Sequence, residues 1–275
     1  MPDLRPMEMG EILDGALTIY RRHFGLFVRL GVSALFVPVL LTVYVQFSGG
    51  PQEHYVLWFL TTVIQYFATL LLTAGAIRVI SDSYLGREPQ LGEAISLGFA
   101  KMGPLFVVGF AKGLIVVLIV GGASLAVFLL VGLQAGVVSG VLMIAAVIGG
   151  FWFVIWVACG YAVTTQIVVL EALPGVFEAF GRSWGLTNGF RRKIFNIAVI
   201  AGLIVYVPTA AVAGVGGAMA LESPLTQQVF QVFAAVLPMV LTPILSCVFT
   251  LMYYDLRVRR EGFDLQILGQ QLGPS

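Results

Sequence analysis

The sequence predicts an all-α polytopic membrane protein. Six transmembrane helices form three parallel helix-plus-hairpin repeats, each opened by a cytoplasmic amphipathic helix. Three observations lead there. The 275 residues are 59% hydrophobic and 11% charged, with mean hydropathy +0.98, where a soluble domain is roughly 25% charged. Several apolar runs reach 20 residues or more, long enough to cross about 30 Å of hydrocarbon. A short amphipathic stretch with a Glu in its first turn precedes a pair of apolar segments three times, and Glu11, Glu93 and Glu178 lie 82 and then 85 residues apart.

The expected spans are residues 24–47, 55–80, 103–133, 137–170, 192–217 and 228–254. The middle pair is long, which fits tilted or protruding helices, and the double glycines Gly121-Gly122 and Gly149-Gly150 suit close helix approach. Pro38, Pro208, Pro238 and Pro243 fall inside spans and are expected to kink them or free carbonyls. Ahead of the hairpins, Met9, Ile12, Leu13, Ala16, Leu17 and Tyr20 form one helical stripe. Leu91, Ala94, Ile95, Gly98, Phe99 and Met102 repeat it, as do Val176, Ala179, Phe180, Ser183, Trp184 and Thr187. Pro6, Pro89 and Pro174 precede the three stripes, suited to helix starts. The units run over about residues 6–85, 86–170 and 171–260 of a single membrane domain, 1–275, with a cytoplasmic tail at 261–275. Because each unit holds two spans, the copies share one orientation, a parallel repeat rather than an inverted one.

Basic residues set the orientation. Fourteen of the fifteen cluster in four regions: Arg5 to Arg29, Arg78 to Lys101, Arg182 to Lys193, and Arg257 to Arg260. The opposite loops, Ser48–His54, Gln134–Gly136 and Ala218–Gln227, carry no Lys or Arg and only Glu53 and Glu222 as charges. Both termini are therefore expected in the cytoplasm. Residues 1–23 carry acids and no apolar core, so the first span is expected to act as its own insertion signal.

Function is less constrained. A net charge of +1 argues against nucleic acid. Cys159 and Cys247 sit 88 residues apart in apolar segments, a poor metal or disulfide framework, and no metal or other cofactor is implied. No Walker A, HExxH or GxSxG with triad partners is present. His23 and His54 fall on opposite sides of the membrane, and no acid or His lies near the midplane of a span, so no catalytic residue is assigned. The candidate polar, headgroup-facing cluster comprises Arg29, Arg78, Asp82, Lys112, Glu171, Arg182, Asp255 and Arg257, beside the repeat glutamates Glu11, Glu93 and Glu178. Each Glu suits a helix start, where an acid gains about 0.3–1 kcal/mol from the dipole, or pairing with a neighbouring Arg; convergence on a headgroup or cation is the functional alternative. Lys112, the one basic residue well inside an apolar run, either snorkels to the interface or faces the bundle and pairs with Asp82, Glu171 or Asp255. Tyr253-Tyr254-Asp255-Leu256-Arg257 reads as an interfacial anchor, and Arg257 and Glu261 are spaced to pair on a helix.

The segments GEILDGALTIYRRHFGLF (10–27), YLGREPQLGEAISLGF (84–99), EALPGVFEAFGRSWGLTNG (171–189) and LMYYDLRVRREGFDLQ (251–266) resemble a prokaryotic multi-pass family, the glycerophosphoryl diester phosphodiesterase membrane domain. The resemblance covers nearly the whole chain and implies a stand-alone membrane domain in a prokaryotic plasma (inner) membrane, without the phosphodiesterase barrel or its His and acidic residues. Together these readings lead to the expectation of a non-enzymatic domain that holds membrane lipid, or another membrane protein, at the cytoplasmic leaflet. A transporter component for a small or amphipathic solute is the alternative, and an intramembrane lipid enzyme a third.

Overall fold

A computed structural model describes residues 5–50, 52–132, 137–219 and 223–262. The loop Gln134–Gly136, Glu222 and the tail beyond Gly262 lie outside the described residues. The order is α1 (Met9–Arg22), α2 (Phe24–Phe47), α3 (Tyr55–Tyr84), α4 (Leu91–Gly132), α5 (Val137–Gly160), α6 (Thr164–Leu170), α7 (Glu178–Thr187), α8 (Arg191–Met219) and α9 (Pro224–Glu261). Among the described residues there is no strand.

Five stretches are long and apolar enough to cross a membrane: Phe24–Phe47, Tyr55–Tyr84, Leu91–Leu129, Gly140–Leu170 and Arg191–Ala218. Residues such as Phe36, Leu40, Phe110, Leu118, Phe128, Ile144, Phe151 and Leu203 stand exposed on their outer faces. That apolar surface is far larger than the few hundred Å² a soluble monomer exposes, and it suits acyl chains. The chain is thus built as a multi-pass membrane protein. The sixth expected span, residues 228–254, falls within α9, whose side chains are described only in part.

The amphipathic segments do not all end alike. The helix breaks at His23 between α1 and α2, and at Asn188–Phe190 between α7 and α8, where Gly189 takes φ +82°. The second stretch instead continues into its span as the 42-residue α4. The residue standing where Gly189 stands in the third stretch is Pro104, whose ring holds φ near −65° and excludes a left-handed turn. The fourth expected span departs the other way. It breaks after Gly160 into α5 and the short α6, because the Gly160 carbonyl leaves the helix ladder and accepts the hydroxyls of Ser183 (3.0 Å) and Thr187 (3.1 Å) from α7. A Cβ on Gly160 would collide with the Trp184 ring. Of the double glycines only Gly150 marks a close approach, with an added Cβ 3.1 Å from the Ala123 methyl; Gly121, Gly122 and Gly149 have nothing nearby.

The core sits at the basic end. Ile12, Phe27, Leu30, Leu72, Ile77, Ile80, Ile167, Ile194, Ile197, Leu251, Met252 and Tyr253 are all nearly fully buried. Helices α3, α6 and α9 touch one another and form the inner layer; α2, α4, α5 and α8 pack outside them. Tyr253 and Tyr254, expected at the headgroup level, are instead buried in this inner layer. The Tyr253 hydroxyl donates to Glu171 Oε1 (2.8 Å), and the Tyr254 hydroxyl meets Ser81 Oγ at 2.7 Å.

Gly160→Val is expected to destabilise the protein by about 1–3 kcal/mol through overpacking against Trp184. Gly214→Ala, at an exposed helical position with nothing within 4 Å of its added Cβ, is expected to be neutral or stabilising by up to about 1 kcal/mol. Thermal unfolding of both variants in the same detergent checks the contrast.

Candidate functional site

Most of the charged residues are spent on holding the fold. Three carboxylates near the basic end of the inner layer each draw in neighbours. Asp255 on α9, fully buried, accepts Lys193 Nζ from α8 (2.6 Å), Arg259 Nε (3.0 Å) and the Met7 backbone N–H (2.7 Å). Lys193 and Arg259 also donate to the Met7 carbonyl. Glu171, at the end of α6, binds Arg182 of α7, which reaches on to Glu261 (2.7 Å); Glu261 in turn takes Arg257 Nε at 3.0 Å. Asp82 on α3 pairs with Arg78 (2.8 Å), and Arg78 bridges to Glu93 of α4 (3.0 Å).

Five of the eight residues in the expected cluster therefore meet, in two separate groups: Arg78 with Asp82, and Glu171, Arg182 and Arg257 through Glu261; Asp255 is paired instead with Lys193 and Arg259, from outside that cluster. Arg29 and Lys112 stand apart from them. Arg29 is exposed and has no side-chain partner among the described residues. The repeat glutamates go separate ways. Glu11 pairs with Arg5 (2.5 Å) and accepts the Glu8 N–H in a capping box; Glu93 joins Arg78; Glu178 is exposed in the first turn of α7. They do not converge.

Several groups titrate away from their ordinary values. Hydrogen bonds from Arg5 and then the Glu8 backbone hold the exposed Glu11 carboxyl below 4.5. Burial opposes ionisation of Glu261, but the hydrogen bonds of Arg182 and Arg257 outweigh it and keep its pKa low. Burial likewise opposes the Arg182 charge, and Glu171 and Glu261 overcome it, raising its pKa. His23, at the α1–α2 break and 2.9 Å from Ser83 Oγ, is pushed below 6.5 by burial and then by Arg22.

The unspent chemistry lies at the seam between α5 and α8. The seams α3–α4 and α9–α2 are closely packed, while α5 and α8 meet sparsely, and among the described residues no hydrogen bond crosses between them. A cavity of about 470 Å³ opens there, within the range of about 300–1,000 Å³ typical of small-molecule sites. Ile115 and Val116 of α4, Val154, Ile155, Val157, Ala158 and Cys159 of α5, and Ile194, Phe195, Ala198 and Val199 of α8 supply most of its wall, with Phe249 of α9 behind. Val116 and Val199 on its lining are exposed at the outer surface. A second apolar hollow, along Val147, Phe151 and Trp152, shares Ile155 and Phe195 with it and extends the groove along α5.

Lys112 lines this cavity. No hydrogen-bond or ion-pair partner reaches it among the described residues, and the acids expected to pair with it are engaged elsewhere: Asp82 with Arg78, Glu171 with Arg182, Asp255 with Lys193 and Arg259. Tyr161, in the turn between α5 and α6, also lines the cavity.

No family model, curated protein or solved structure matches the chain.

At the basic end of the seam, the Trp156 and Trp184 rings meet edge to face at 4.7 Å, and the Arg191 guanidinium packs against both, 4.0 and 4.1 Å from their centroids. It joins α5, α7 and α8 by cation–π contacts. Its position was missed from the sequence, since Trp156 and Trp184 fall 28 residues apart on different elements. Among the described residues no three His, Cys, Asp or Glu side chains gather closely enough to hold a metal ion.

Asp255→Asn leaves Lys193 and Arg259 facing a neutral group, and is expected to cost about 3–5 kcal/mol. Glu11→Gln breaks an exposed pair and is expected to cost at most about 1 kcal/mol; thermal unfolding in detergent separates the two. The pH dependence has a definite sign. His23 and Glu261 both hold protons more weakly folded than unfolded, so stability falls as pH falls. The loss starts below about 6.5 for His23 and below about 4.5 for Glu261. His23→Gln is expected to flatten the upper limb of a melting-temperature profile and leave the lower one.

Proposed function

We propose that the protein is a six-span membrane domain with both termini in the prokaryotic cytoplasm. Its three helix-plus-hairpin repeats surround a common axis, and it holds membrane lipid at the inner leaflet without catalysing a reaction. The repeat is supported by matching burial: Ile12, Ala94 and Ala179 correspond in the three amphipathic stretches, as do Ala16, Gly98 and Ser183, and all six are buried. It is supported also by matching contacts. The second stretch packs on α3, α7 on α6, and α1 on α9, so each leans on the inner helix of the unit before it and the last unit meets the first. The orientation rests on the one-sided distribution of Lys and Arg. The resemblance to the glycerophosphoryl diester phosphodiesterase membrane domain fits a stand-alone domain of this kind.

The observation that carries the lipid reading is the apolar cavity at the α5–α8 seam, which faces outward through Val116 and Val199. An open apolar groove at a helix seam is costly to leave unfilled, because its lining forfeits dispersion contacts; an acyl chain restores them. The charged clusters are poorer candidates for headgroup recognition, since Arg78, Arg182, Lys193, Arg257 and Arg259 already serve internal carboxylates. The transporter alternative has no comparable observation behind it, as the inner layer is filled at its basic end by Ile77, Ile80, Ile167, Leu251 and Met252.

Native mass spectrometry after extraction in mild detergent tests the reading. Retained lipid is expected on the unaltered protein, and Ala158→Trp, which fills the cavity from its wall, is expected to abolish retention while preserving the fold. An unaltered protein free of lipid, or equal retention by the folded variant, would overturn the reading.

A further inference from the structure

Lys112 sets the seam cavity apart from a simple acyl-chain groove. A lysine in an apolar wall must find water, a headgroup or an anion. Its position limits these choices. It lies eleven residues beyond Lys101, which is tied to the Val168 carbonyl at 2.7 Å, so its Cα sits about 16 Å further along the helix axis at about 1.5 Å per residue. A helical side chain leans toward the helix N-terminus, here the basic end, but its stem is too short to cover that distance. Lys112 therefore stays in the cavity wall, below the level of Lys101.

The polar groups facing the space are few. Lys112 supplies one positive charge and Tyr161 one hydroxyl, and neither has a hydrogen-bond partner among the described residues; the Cys159 thiol is a weak third. The rest of the lining is hydrocarbon or aromatic. One cation and one hydroxyl match the single charge and two oxygens of a carboxylate. A phosphomonoester headgroup would bring up to two charges and more acceptors than this wall can satisfy, and a phosphodiester lipid, though singly charged, brings a second acyl chain to a single track. From the acid group, the groove continues past Ile155 and Phe195 to Val147, Phe151 and Trp152, an apolar track for one chain.

We propose that the seam cavity is a binding site for a single-chain long-chain carboxylate, a free fatty acid, with its carboxylate on Lys112 and its chain along α5 toward Trp152. This rests on the lipid-holding reading and narrows it to one ligand class. The negative ligand supplies the counter-charge that the fold withholds from Lys112. The apolar chain completes the packing that α5 and α8 leave unmade. Recognition depends on the acid, so the uncharged ester of the same chain is a poor ligand.

The test uses the full protein in lipid nanodiscs and a palmitic acid carrying a nitroxide near its methyl end, whose contact with Trp152 quenches tryptophan fluorescence. Saturable quenching is expected with the acid, and about tenfold or weaker binding with its methyl ester, the loss appropriate to one charge-assisted hydrogen bond. Lys112→Met is expected to bring acid and ester to the same weak affinity. Lys112→Arg, which keeps the charge, should retain the preference for the acid. Hexadecyl phosphate should compete less well than palmitate.

Equal binding of acid and ester by the unaltered protein, or stronger competition by the phosphate, would overturn the fatty-acid assignment. Lipid retention lost in Ala158→Trp would still uphold the broader reading in that case. Absence of both saturable quenching and retained lipid would overturn the two together. Unchanged melting temperature and nanodisc incorporation of Lys112→Met keep misfolding from imitating a positive result.

Discussion

The carboxylate of Asp255 is the constraint on which the basic end of the bundle depends. A fully buried carboxylate must be paired and hydrogen-bonded or it will not stay ionised. Here the requirement is met by Lys193 from α8, Arg259 from α9 and the Met7 backbone N–H ahead of α1. One acid thereby joins the start of the chain to its last long helix and to the helix packed beside it. Glu171 and Asp82 do related work where α6 meets α7 and where α3 meets α4. With the charges absorbed in this way, Tyr253 and Tyr254 can sit inside the bundle, their hydroxyls satisfied by Glu171 and Ser81. The apolar core gathers around the same end, and the far halves of the helices are left to present their side chains outward.

That distribution accounts for the location of the open seam. Where α3 meets α4, small residues bring backbones together: an added Cβ on Gly75 would stand 3.1 Å from the Ala94 carbonyl, and one on Gly98 3.0 Å from that of Leu71. Where α9 meets α2 and α1, Tyr20 donates to the Val240 carbonyl and Gln228 to that of Gln46. Between α5 and α8 the arrangement differs. The Gly160 break ends α5 early, and the freed carbonyl is satisfied by Ser183 and Thr187 rather than by its own helix. Cys159, Tyr161 and Ala162, the residues at that break, line the cavity. The break thus supplies part of the wall of the site.

Much of the architecture was legible in the sequence because it rests on long-range averages. Apolar runs set the helices, and the 3.6-residue stripe marked α1 and α7 on the correct faces, down to the burial of Ile12, Ala16, Ala179 and Ser183. The pairing of Arg257 with Glu261 was readable because both lie on one helix at i and i+4. What escaped depends on tertiary geometry. Nothing local distinguishes Gly160, where the helix breaks, from Gly149 or Gly150, where it does not; the deciding groups are hydroxyls on α7. Pro104 carried a readable signal, since its fixed φ forbids the turn that Gly189 makes. Lys112 was singled out as an intramembrane cation, but its expected carboxylates proved to be claimed by Arg78, Arg182 and Lys193. Two of their partners, Arg78 for Asp82 and Arg259 for Asp255, lie at i and i+4 on one helix and were as readable as Arg257 with Glu261; Arg182 for Glu171 and Lys193 for Asp255 come from other elements and depend on packing. The cluster of Arg191 with the edge-to-face Trp156 and Trp184 rings left no sequence signal, because its three members come from three helices.

An electron cryomicroscopy map of the protein in nanodiscs of its native lipid tests the central claim most directly, that α5 and α8 hold an anionic chain at Lys112. The expected result is one elongated density in the seam, with its polar end within hydrogen-bond distance of Lys112 Nζ and its tail along Phe151 and Trp152. A seam closed by direct contact of α5 with α8, with Lys112 paired to a carboxylate of the protein itself, would contradict it.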